Sequence, residues 1–141
     1  MTSPERAVRA TSWEVGAVVG SYGLGFGALA VASGFSLAQT IVMSALVFTG
    51  ASQFALISVV GGGGVPLAGV AAGLALGSRN AFYALRMRAL LQPRGWRRAA
   101  AAQLTIDEST AVALAQRDVR LSRIGFWTTG VAVYVAAPAG W

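Results

Sequence analysis

The stretch FTGASQFALISVVGGGG, residues 48–64, lies deep in an apolar part of the chain, yet Thr49, Gly50, Ser52 and Gln53 crowd its beginning. Hydroxyls, an amide and a glycine stand where a hydrophobic helix should be greasiest. Around them the chain is uncharged from Val15 to Ser78, a run of 64 residues. A bilayer core of roughly 30 Å is crossed by about 20 apolar residues in a helix. The run therefore holds two spans, and a third if that one continues past Arg79. The reading is an all-α, polytopic helical membrane protein with Gly-broken or re-entrant segments.

Composition points the same way. Of 141 residues, 55% are hydrophobic and 11% charged, against about a quarter charged in soluble domains. Mean hydropathy is +0.62. Cysteine and histidine are both absent, which excludes disulfides, zinc ligation and imidazole relays. No metal site, cofactor or enzymatic chemistry is expected. The net charge of +6 comes from eleven Arg and five acids. In a soluble protein that balance suggests nucleic acid, but eight of the Arg lie between Arg86 and Arg123. Arg-rich short loops beside spans mark the cytoplasmic face, so a lipid bilayer is the expected partner and nucleic acid is not.

Residues 1–12 read as a polar lead and 13–141 as a single transmembrane helical domain. Arg6, Arg9 and the apolar run ending near Ala30-Val31-Ala32 also have the form of a signal peptide. Glu14 at the edge of that run and six glycines within 16–34 favour a first membrane segment instead. Segment one spans about 13–33 and segment two about 37–60. Gly61–Gly64 and Pro66 form an interhelical break, and segment three, about 67–91, contains Arg79 and Asn80. Two basic stretches, 86–98 and 117–123, flank an Ala-rich stretch, 99–116, and a last apolar segment starts at Ile124.

The arginines constrain topology. If 99–116 crossed the membrane, its Arg-rich flanks would face opposite sides, so it should return to the face it left or lie along it. Three full crossings would likewise separate Arg6 and Arg9 from the five Arg of 86–98. Either the N-terminus is outside or one early segment is broken or re-entrant. The glycines of segment one favour a break there.

Each candidate site has a plainer alternative. Gly25-Phe26-Gly27-Ala28-Leu29-Ala30 has the form G-x-G-x-x-A, but no acid follows about twenty residues later, so it is not a dinucleotide fingerprint. Gly25 and Gly27 serve either close helix packing or a discontinuous helix lining a cavity. Thr49, Gly50, Ser52 and Gln53 form either a polar substrate site at mid-depth or an interhelical hydrogen-bonding patch. Arg79 either snorkels from a helix end or meets a carboxylate. Thr105 to Glu108 has the form of a capping box, while Asp107 and Glu108 are also the acids available for coupling or gating.

Several stretches together resemble the AzlC family of branched-chain amino acid permeases. They are FGALAVASGFSLAQ (26–39), MSALVFTGASQF (43–54), GSRNAFYAL (77–85) and LTIDESTAVALAQ (104–116). The second is the most specific, since the family carries V-F-x-G-A-S-Q-F there. Arg79, Tyr83, Asp107, Glu108 and Ser109 match family positions, whereas Gly77 and Asn80 depart from the commoner Asn and His. The resemblance implies a multi-pass plasma-membrane protein that exports branched-chain amino acids together with a small companion membrane subunit, AzlD-like. It implies that this chain corresponds to the N-terminal part of the pattern. The competing reading is a non-transporting scaffold that only packs against a partner.

Overall fold

The computed structural model describes residues 3–139, and every regular element among them is helical. In chain order these are α1 (Ser3–Ala32), α2 (Leu37–Val47), α3 (Gly50–Gly61), α4 (Pro66–Gly77), α5 (Arg79–Leu91), α6 (Arg97–Gln103), α7 (Asp107–Leu114) and α8 (Val119–Ala139). Of these, α1 is long and apolar enough to cross a membrane, while α2 and α3 are apolar but short.

α1 and α8 run parallel. Glu5 meets Arg120 at 2.7 Å, and the Thr129 hydroxyl donates to that of Ser12 at 2.9 Å. A Cβ at Gly16 would stand 2.8 Å from that of Ala132, and one at Gly20 would stand 2.9 Å from that of Ala136. The glycines of segment one thus let two helices approach closely. They do not break the backbone, and α1 continues unbroken for 30 residues, about 45 Å. The expected break in segment one is absent because helical hydrogen bonds need no Cβ, and the missing Cβ atoms make room for α8. The polar lead also belongs to α1 from Ser3 onward.

The break falls in segment two. Phe48 adopts a left-handed conformation (φ 45, ψ 17) and Thr49 an extended one, so the expected single segment 37–60 folds back on itself. α3 runs alongside α1, with the Phe54 and Phe26 rings 5.7 Å apart and Gly61 packed beside Ser33. Since α2 begins just after α1 ends, both outer ends of α2–α3 lie at that far end. The tip turns around Phe48, whose ring lies 4.9 Å from Tyr134. The two helices thus form a hairpin whose tip lies inside the bundle.

α4 then returns along α3 through a stripe of small residues. Cβ atoms at Gly69 and Gly73 would come within 3.1 Å of the Leu56 and Ser52 carbonyl oxygens. Segment three changes helix at Ser78, whose backbone stays right-handed (φ -58, ψ -30), so α5 carries the chain onward. Its end reaches the end of the molecule that holds Glu5 and Arg120, because Arg123 Nε donates to the Leu90 carbonyl at 3.1 Å.

α6 and α7 form a second hairpin from that basic end. Leu104, at the tip, packs on Gly130, and Val112 packs on Gly125, so α7 descends α8 towards its start. The stretch 99–116 therefore returns to the end it left, as its arginine flanks require. Thr105 does not cap α7. Its hydroxyl bonds back to Ala101 at 2.6 Å, and the buried Ser109 hydroxyl accepts from the Ile106 N–H at 3.2 Å and donates to the Leu104 carbonyl at 2.6 Å.

Candidate functional site

The two hairpin tips meet, and the Gln103 amide joins them. A helix ends with four carbonyls that lack intrahelical donors, and α2 ends in the interior. Gln53 Nε2 donates to the carbonyls of Met43 at 3.3 Å and Ser44 at 3.4 Å. Gln103 Nε2, from the opposing hairpin, donates to Ala45 at 3.0 Å and Leu46 at 3.3 Å. Two amides thus serve four successive carbonyls. Gln53 is 7% exposed, and its position in so apolar a stretch follows from the backbone it must satisfy.

The start of α3 has the opposite polarity. Thr49 is its N-cap residue but makes no side-chain cap bond. The first backbone bond into the helix runs from the Gln53 N–H to the Thr49 carbonyl at 3.1 Å, which leaves the Gly50 and Ala51 N–H groups outside the helical ladder.

Two cavities flank this break, and Gln53 lines both. The first, about 210 Å³, is bounded by Gly50 and Ala51, by Phe26 and Phe54, and by Ile106 and Glu108 of the second hairpin. The second, about 510 Å³, takes Thr49 and Ser52 on one side and Gly77, Ser78 and Asn80 on the other. The buried Ser52 Oγ and Asn80 Oδ1 have no hydrogen-bond partner among the described residues.

Of the opening stretch, Gly50 therefore lines the first cavity, Thr49 and Ser52 the second, and Gln53 both. Gly25 and Gly27 reach neither, and Gly25 is exposed with open space beside it. Arg79 and Asp107 come together at 2.6 Å, each side chain about two-fifths exposed (42% and 40%). That joins the α4–α5 junction to the start of α7. Glu108, one residue on, faces the first cavity and forms no ion pair among the described residues. Adjacent acids thus do different work.

Sequence reasoning missed Gln103, whose partners lie 57 and 58 residues away, and it named Ser109 without foreseeing that its hydroxyl ties the second tip. Nothing local announces either. The spacing Gly69, Gly73, Gly77 was a readable signal for close packing.

Among the comparisons with known proteins, a family model described as AzlC protein matches residues 15–140. No curated protein and no solved structure matches the chain.

Proposed function

The chain belongs to the AzlC family, and on that premise we propose that it is a multi-pass plasma-membrane permease subunit exporting branched-chain amino acids with a small AzlD-like companion. The observation that carries this reading is the pair of opposed hairpins. Backbone that is broken inside a membrane is tolerated only where protein or a cavity satisfies it. Broken helices whose ends face a site at mid-depth are a recurring way to bind solutes and ions in transporters. A scaffold that only packs against a neighbour has no use for two such tips, nor for cavities between them.

The distribution of polarity supports the membrane setting. Leu67, Phe82 and Leu46 are more than 70% exposed, while Ser12, Ser109 and Thr129 are fully buried. A greasy exterior over a hydroxyl-bearing interior suits a lipid solvent. The basic stretches 86–98 and 117–123 gather at one end, which on this reading faces the cytoplasm.

The test is efflux. Cells making the chain and a small companion subunit, preloaded with labelled leucine, should lose label faster than cells lacking the chain. Equal rates in the two strains overturn the reading. Efflux from cells making the chain alone overturns the requirement for a companion.

A further inference from the structure

We propose that the first cavity binds a free α-amino acid as its zwitterion, with Glu108 receiving the ammonium group and the N–H groups of Gly50 and Ala51 receiving the carboxylate. The proposal rests on the permease reading for the solute's class and adds where each of its groups is held.

The cavity has two poles on two different elements. One pole is the Glu108 carboxylate, the only formally charged side chain on its wall among the described residues. Arg79, which could have neutralised it, is engaged with Asp107 at 2.6 Å. A carboxylate facing a mostly apolar pocket calls for a cation. The aromatic side chains of Tyr22, Phe26, Phe48 and Phe54 share the wall, and such rings attract ammonium groups through their faces.

The other pole is the start of α3, a helix of 12 residues with no side-chain cap. Its first amides and the helix dipole favour a carboxylate. An independent feature points to a ligand between the poles. Ser44, 4% exposed, lines the same cavity, and its hydroxyl makes no hydrogen bond among the described residues.

The remaining wall selects the side chain. Val19, Val133 and the aromatic residues offer apolar surface and no second charged partner. Lysine, arginine or glutamate would have to leave a charge unpaired. A volume of about 210 Å³ lies below the roughly 300–1,000 Å³ of clefts for drug-sized ligands and suits one small molecule. The chemical class is an α-amino acid with a short, uncharged, apolar side chain.

Three ligands and two variants test the assignment by equilibrium binding to the purified chain. L-leucine carries both charges, L-leucinamide only the cation, and 4-methylpentanoate only the anion. Leucine should bind tightest. Glu108→Gln should weaken leucine and leucinamide by about tenfold or more, the scale of one lost charged hydrogen bond, and spare 4-methylpentanoate. Gly50→Pro deletes one N–H and should weaken leucine and 4-methylpentanoate while sparing leucinamide.

The proline is compatible with the backbone. The first helical position tolerates it, Thr49 before it is extended (φ -122, ψ 111), and a Cβ at Gly50 meets nothing within 4 Å. Unchanged leucine binding in both variants, equal losses for all three ligands, or no leucine binding by the parent chain overturns the proposal. Binding with the expected charge pattern but no efflux removes the permease reading and leaves the site. Efflux indifferent to both substitutions does the reverse.

Discussion

The two hairpins share a geometry and divide the chemistry. α2–α3 dips in from the far end with helices of 11 and 12 residues, and its tip is uncharged. α6–α7 enters from the basic end with helices of 7 and 8 residues, and its tip carries Asp107 and Glu108. The first tip turns through Phe48 in a left-handed conformation, and its α2 carbonyls accept from its own Gln53 and from Gln103 of the other hairpin. The second satisfies itself through Thr105 and Ser109. A broken helix can thus be stabilised from outside or from within, and the externally stabilised one is coupled to whatever supplies the donors.

The largest expected effect separates the hairpins by side. In this cysteine-free chain, Arg94→Cys and Arg117→Cys should be labelled by an impermeant reagent from one face only, and Val65→Cys from the other only. Labelling of Arg94→Cys and Val65→Cys from the same face would break the opposition of the two hairpins.

Next comes the seat of the first hairpin on α4. Gly73→Leu places a side chain against the Ser52 carbonyl, 3.1 Å from its Cβ, an overpacking expected to cost about 1–3 kcal/mol or more. Membrane abundance should fall steeply. Gly25→Leu, which meets nothing within 4 Å, should leave abundance as it was. Similar losses in both would remove the distinction between packing glycines and idle ones.

The amides come third. Gln53→Leu and Gln103→Leu each remove two donations to α2 carbonyls, expected to cost about 1–3 kcal/mol where a carbonyl is left unpaired and burial denies water access. Thermal unfolding should show the greater loss for Gln53, which is buried, and the lesser for the exposed Gln103. A double variant whose loss departs from the sum of the singles would show that the tips are coupled. The smallest effect belongs to Asp107→Asn. The Arg79 pair is about two-fifths exposed, and such pairs contribute under about 1 kcal/mol, so the melting temperature should barely move.

Much of this was legible in the residues. The uncharged run from Val15 to Ser78 announced apolar helices, and the arginine flanks of 99–116 required it to turn back. Arg79 was open to a carboxylate, and Asp107 meets it. The location of the first break was not legible. Sequence signals for a break are glycine and proline, and glycine crowds segment one, where Gly16 and Gly20 instead admit α8. The actual break sits at Phe48, a bulky residue with positive φ, and it is held by contacts such as Gln103 that no local window contains. Glu108 looked interchangeable with Asp107 because sequence adjacency says nothing about which way two neighbouring helical side chains face.

One feature sets what can move. α1 and α8 interlock: glycine notches receive alanine methyls at two successive turns, and a hydroxyl pair pins the turn before them. Helices keyed in this way resist sliding, because any shift short of a whole turn of about 5.4 Å drives both alanine methyls out of their notches at once. The pair therefore acts as a frame. Any lesser motion must pass through the hairpin tips, whose joints are amide contacts of 3.0 to 3.4 Å. Separating the two tips requires the Gln103 side chain to let go of the end of α2.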